Sequence, residues 1–113
     1  MTELPGRGAL VWFVFTPQEG HEQAGHRPAL VISPRIYHER SKLAVVCPIT
    51  SNTRSWPWKV MLPDGLAVAG AVLVDQIRAI DRGARKLRQV GQAPEAVVAE
   101  VQAKLAALLG IDG

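Results

Sequence analysis

The chain has 113 residues, a formal net charge of +3 from 13 Lys/Arg against 10 Asp/Glu, and one cysteine, with a sequence pI near 9.5. That length suits one domain and leaves no room for separate substrate and cofactor domains. The lone Cys47 excludes an intramolecular disulfide, and no apolar run approaches the ~20 residues of a membrane span. With no basic, apolar and small-residue pattern of a signal peptide at its start, the chain reads as soluble and cytoplasmic.

In chain order, Leu10 to Phe15 is an aromatic and aliphatic run too short for a useful helix and reads as a strand. It does not alternate apolar with polar residues, so both faces should be covered, one by the core and the other by a helix or a second subunit. A polar stretch, Gly20-His21-Glu22-Gln23-Ala24-Gly25-His26-Arg27-Pro28, follows and runs into a second strand over Ala29 to Ser33. Tyr37-His38-Glu39-Arg40 reads as a solvated loop without a role. Leu43 to Ile49 is a third strand, Lys59 to Leu62 a fourth before the turn signal Pro63-Asp64-Gly65, Ala71 to Ile77 a fifth, and Lys86 to Val90 a sixth. The period then changes. Pro94 suits a first helical position, Val97, Val98, Val101, Leu105, Leu108 and Leu109 share one stripe, and Gly110 stands where a helix would stop. The expected architecture is α+β but mainly β: a strongly bent antiparallel sheet capped by a C-terminal helix, in one domain over 1–113. Arg78, Arg82, Arg85, Lys86 and Arg88 oppose only Asp81, so the basic face lies upstream of that helix.

The polar loop, with Arg27-Pro28 leading into Ala29-Leu30-Val31-Ile32-Ser33-Pro34, resembles the signature of the MazF/PemK family of toxin endoribonucleases. Two later blocks match in order. Pro48-Ile49-Thr50-Ser51 is similar to the family's strand ending in Pro-x-Thr-[Thr/Ser], and Asp75-Gln76-Ile77-Arg78 to its Asp-Gln strand. One departure is visible: the family's early Gly-Asp pair is Gly8-Ala9 here, so no acid at position 9 can carry a role. The resemblance implies an SH3-like small antiparallel barrel with a C-terminal α-helix, a homodimer, and no cofactor. It further implies an acidic antitoxin protein as partner and metal-independent, sequence-selective cleavage of single-stranded RNA leaving a 2′,3′-cyclic phosphate and a 5′-hydroxyl. Two other readings fit the same outline. One is a gyrase-poisoning binder, a branch that carries a Trp near its C-terminus where this chain has Leu109-Gly110-Ile111. The other is a noncatalytic RNA-binding barrel, which has no need of Arg27 and Thr50 together.

The candidate residues have chemistry of their own. The guanidinium of Arg27 keeps its charge and matches the two free oxygens of a phosphodiester with a planar fork of donors; the resemblance makes it catalytic. Thr50 supplies a hydroxyl donor from the other side, and the same resemblance makes it the second catalytic residue. Proton transfer falls to His26 or Glu22, either of which also reads as a hydrogen-bonding spacer or an orienting group for Arg27. Ser51, Asn52, Arg54, Arg78, Arg85 and Lys86 are the expected RNA contacts. Trp56 and Trp58, either side of Pro57, read equally as base-stacking platforms or as core residues. His21, Glu22 and His26 lack metal-ligand spacing, so no metal site is expected, and no phosphate-cradling Gly-rich loop followed by Lys and Ser/Thr is present, which sets nucleotide hydrolysis aside.

Overall fold

The computed structural model describes residues 4–15 and 25–111. The strands are β1 Ala9–Phe15, β2 Gly25–Val31, β3 Leu43–Thr50, β4 Lys59–Met61, β5 Ala71–Leu73, β6 Arg78–Asp81 and β7 Arg88–Gln92; the helices are α1 Arg35–Arg40 and α2 Glu95–Leu109. The sheet is antiparallel, with strand order β4-β5-β3-β2-β1-β7 and β6 paired to β3. No ladder joins β4 to β7 among the described residues, so the SH3-like barrel is open at that seam.

Alternation along the central strands builds two cores. Leu10, Leu30, Cys47 and Ile49 point to one side and pack with Val60, Val72 and Val74 and with Val97, Val101 and Leu105 of α2. Each such buried aliphatic contributes roughly 1.5–3 kcal/mol. The intervening residues Ala9, Val11, Phe13, Ala29, Val31, Ala44, Val46 and Ile80 form a second cluster, with Leu87 of the β6–β7 turn packed on it. Both faces of β1 are therefore covered by this chain itself. Helix α2 packs on the Leu10 side, and the Ala9, Val11 and Phe13 side is filled by residues of β2, β3 and β6 with Leu87 against them.

Several elements differ from the sequence reading. Residues 25–28, expected in the polar loop before a strand over Ala29 to Ser33, already pair with β1 as the start of β2, which ends at Val31, and the last strand is Arg88–Gln92 rather than Lys86 to Val90. The apolar run expected as one strand over Ala71 to Ile77 stops at Leu73, makes a 3-10 turn at Val74–Gln76, and resumes as β6. The turn carries the chain from its pairing with the far half of β3 to its pairing with the near half. The loop expected around His38 is the short helix α1, and His38 is 1% exposed. Its Nδ1 donates to the Pro5 carbonyl at 2.7 Å, since a carbonyl can only accept, and its Nε2 accepts from Ser33 Oγ at 2.6 Å. Ser33 Oγ in turn accepts from Val45 N–H. The ring ties α1 to the N-terminal segment and, through Ser33, to β3. Arg82, expected on the basic face, is half-buried and donates through Nη2 to the carbonyls of His38 and Ser41. In α2, Pro94 is the N-cap rather than the first helical residue, and Gly110 closes the helix in the left-handed conformation at φ 73. Val97, Val101 and Leu105 are buried, whereas Leu108 and Leu109 are exposed. No described helix is long and apolar enough to cross a membrane.

Candidate active site

The site lies where the sheet splits. Strands β2 and β3 pair at Val31↔Val46, Leu30↔Cys47 and Ala29↔Pro48, and the ladder stops there. Pro48 stands in the last pair and Pro28 one residue beyond it, and neither can donate a backbone hydrogen bond. Past this point β3 turns to β5, pairing Ile49↔Val72 and Thr50↔Ala71, while β2 stays with β1 through Phe13↔Arg27 and Val14↔His26. Extending the β2–β3 register two residues beyond its last pair sets Arg27 opposite Thr50. The strands have parted by then, and the gap between them is a cleft of about 660 Å³.

Polar strand ends line that cleft. Arg27 and His26 come from β2, Thr50 and Ser51 from the end of β3, Gln76 from the 3-10 turn and Arg78 from the start of β6. All except the half-buried Thr50 are exposed. Trp12, Phe13, Pro28, Pro48 and Leu73 form the apolar part of the wall. The Arg78 guanidinium sits 5.5 Å from the centroid of the Phe13 ring, a cation–π contact that holds a positive charge at the rim. Thr50 Oγ1 accepts from Asn52 N–H at 3.1 Å, leaving its proton able to point elsewhere. Gly70 lies directly behind Thr50: at φ +127, a Cβ there would stand 2.2 Å from the Thr50 carbonyl oxygen.

The β3–β4 loop, residues 51–58, has no ladder of its own yet is held at several points. Lys59 Nζ donates to the carbonyls of Asn52 (2.7 Å) and Arg54 (3.0 Å), and Lys104 Nζ of α2 donates to that of Pro57 (2.7 Å). Asn52 Oδ1 accepts from Arg54 N–H. The two tryptophans separate: Trp58 is half-buried against the larger core, whereas Trp56 is 49% exposed and its Nε1 donates to Asp75 Oδ2 at 3.1 Å. Cys47, buried in the larger core, has its thiol pushed up to about 12 by burial and, second, by the Asp75 carboxylate.

Of the residues expected from sequence, Arg27, Thr50, Ser51, His26 and Arg78 share the main cleft. Asn52 and Trp56 line a side cleft next to it. Arg54 is exposed on the loop but outside both linings, and Arg85 and Lys86 lie in the β6–β7 turn away from them. In that turn the Asp81 carboxylate is held below its usual range by the Ala84 N–H it accepts. Glu22 and His21 lie outside the described residues. Sequence reasoning missed Lys59, Lys104 and Phe13 as site supports and gave no role to Asp75. Nothing local marks Lys104, which meets the loop 47 residues away in sequence.

Known proteins resemble this chain along nearly its whole length. The chain is 35% identical over 107 residues to the endoribonuclease toxin MazF of Escherichia coli (strain K12), covering 95% of this chain and 96% of that protein. Among solved structures, the MazE-MazF crystal structure (Form-II) from Deinococcus radiodurans matches with a TM-score of 0.90 at 48% identity, covering 96% of this chain and 97% of that one. MazF (Form-I) from the same organism matches with a TM-score of 0.84 at 49% identity, covering 94% and 96%. The family model described as PemK-like, MazF-like toxin of type II toxin-antitoxin system matches residues 6–109, and the chain belongs to that family.

Proposed function

We propose that this protein is the toxin of a toxin–antitoxin pair, a sequence-selective endoribonuclease that cuts single-stranded RNA in the cleft between β2 and β3 without a metal ion. The observation that carries this reading is the placement of Arg27 and Thr50 on the two sides of the split, with Arg78 and Ser51 beside them. The ribose 2′-oxygen attacks the adjacent phosphorus, the P–O5′ bond breaks, and the products are a 2′,3′-cyclic phosphate and a 5′-hydroxyl. Negative charge builds on the nonbridging oxygens as the phosphorane forms. The Arg27 fork and the Thr50 hydroxyl donate to those oxygens, and because both are anchored on paired strands the donors need not reorganise during the reaction. Arg27 thus takes the charge-stabilising role that a metal ion fills in other nucleases. His26 at the cleft rim is the proton-transfer group among the described residues, and Glu22 is the alternative. The relatives include MazE-MazF complexes, and an acidic antitoxin segment bound over the basic cleft rim would exclude RNA by competing for Arg27 and Arg78. The working form is a homodimer.

The test is cleavage of a long single-stranded RNA with mapping of both new ends. Arg27→Ala should lose about 10²–10³ in rate, the cost of removing one preorganised donor to a developing oxyanion, and chelator should leave the wild type unaffected. Cleavage by Arg27→Ala at the wild-type rate, or its abolition by EDTA, would refute the mechanism.

A further inference from the structure

Beside the main cleft lies a second one of about 420 Å³, lined by Thr50, Asn52, Trp56, Lys59, Leu73, Asp75 and Gln76. Its wall is shared: Thr50, Leu73 and Gln76 line both. A nucleic-acid strand with a phosphate at Thr50 therefore has a neighbouring base within reach of this side cleft. We propose that the side cleft is a base-reading subsite that accepts a nucleobase carrying an amino group (adenine, cytosine or guanine) and rejects uracil, with Trp56 as the platform and Asp75 as the reader. The inference rests on the RNA reading above.

The platform is built before any ligand arrives. The Trp56 indole is tied to Asp75 through its N–H, and the loop carrying it is tied by Lys59 to two carbonyls and by Lys104 to a third. A half-exposed aromatic face on a restrained loop stacks a base at low ordering cost. The choice of base follows from Asp75. Against a polyanion an acidic side chain in the cleft is unfavourable, since it repels phosphate and cannot donate to it. An ionised carboxylate accepts at about four lone-pair positions, of which the indole occupies one. It is suited to accept from an exocyclic amine: cytosine N4, adenine N6, or guanine N2 together with N1. Uracil offers a carbonyl oxygen where cytosine has its amine, and its one ring N–H is flanked by two carbonyls that the carboxylate repels. The Lys59 ammonium, engaged with Asn52 and Arg54 carbonyls, orders the loop and leaves the base edge to Asp75.

The experiment reads binding and cutting separately. Noncleavable 2′-O-methyl oligonucleotides carrying uracil or an amino-bearing base at each position near the cut site are titrated against wild type, Asp75→Asn and Trp56→Phe, and the cut-site profile is taken on a randomised RNA pool. Wild type should disfavour uracil at one position by about tenfold or more, in line with the discrimination of a good base-edge contact. Asp75→Asn keeps an acceptor for the indole but replaces part of the carboxylate with a donor. It should bring that position within about threefold of neutrality, with the other positions and the melting temperature unchanged. Trp56→Phe keeps a stacking ring, frees the carboxylate from its indole, and should blunt the same position; it also serves if Asp75→Asn does not fold. Wild type tolerating uracil at every position, or folded variants with an unaltered profile, would overturn the subsite. A protein that binds with this discrimination and cuts nothing would overturn the nuclease reading and leave the subsite standing.

Discussion

Replacing Gly70 with alanine tests whether the backbone behind Thr50 positions the groups proposed for the chemistry. A Cβ built on Gly70 falls 2.2 Å from the Thr50 carbonyl oxygen and 3.0 Å from its carbonyl carbon, and Gly70 holds φ +127. Restoring even the 3.0 Å that real Cβ atoms respect requires the two segments to separate by about 0.8 Å. The obstacle is backbone, so no rotamer change relieves it. The left-handed conformation adds strain of roughly 1–3 kcal/mol for a residue with a side chain. For a chain of this size each kcal/mol lowers the melting temperature by about 4 °C, so a drop of about 4–12 °C is expected from strain alone. The larger effect is on cutting. Thr50 is carried at the end of β3 by its pairing with Ala71, next to Gly70, and a displacement near 1 Å in a positioned group can cost about 10²-fold in rate. Gly70→Ala should therefore lose cleavage well below its melting transition, with far-UV circular dichroism unchanged and single-turnover rates down by about two decades. Wild-type single-turnover rate and melting temperature in this variant would refute the claim that Gly70 sets the position of Thr50.

Trp58→Ala should destabilise the fold, by less than the roughly 3–5 kcal/mol of emptying a fully buried aromatic site, because Trp58 is half-buried against the larger core; chemical denaturation measures it, and an unaltered midpoint would count against that packing. Cys47 should resist alkylation at pH 8 until the protein unfolds. Burial raises its thiol from 9.0 to about 12, so the neutral form is favoured on folding. That contribution is complete below pH 9 and fades as pH rises towards 12, and rapid native-state labelling by iodoacetamide at pH 8 would contradict it.

Elements carried by their own residue pattern were legible. The apolar runs of β1 and β3 bury alternate residues in the two cores, the stripe of α2 buries Val97, Val101 and Leu105 but not Leu108 and Leu109, and the left-handed glycine that ends α2 stands at the expected residue. Features settled by distant partners were not. Helix α1 has six residues, no side-chain cap and no acid in its first turn, so nothing local announces it; His38 is buried through bonds to Pro5 and Ser33. The 3-10 turn at Val74–Gln76 interrupts a run that is apolar through Val74, because the break is required by a change of pairing along β3 rather than by a breaker residue. At the site, Arg27 and Thr50 could be named together only through the family signature. Their opposition depends on β2–β3 register, and register is a property of the assembled sheet. The Trp56–Asp75 bond spans 19 residues and had no sequence signal.

The split between β2 and β3 has an evolutionary consequence. The groups proposed for the chemistry stand on strand ends paired into the sheet, where a side-chain change costs rate. The groups proposed to read bases stand on the β3–β4 loop and the 3-10 turn, where a side chain can be exchanged while the lysine straps keep the path of the loop. Retargeting to a new RNA sequence and loss of catalysis therefore lie on separate mutational axes. On the proposed reading, descendants of one ancestral cleft diverge in the bases they read through loop positions outside the wall that the two clefts share.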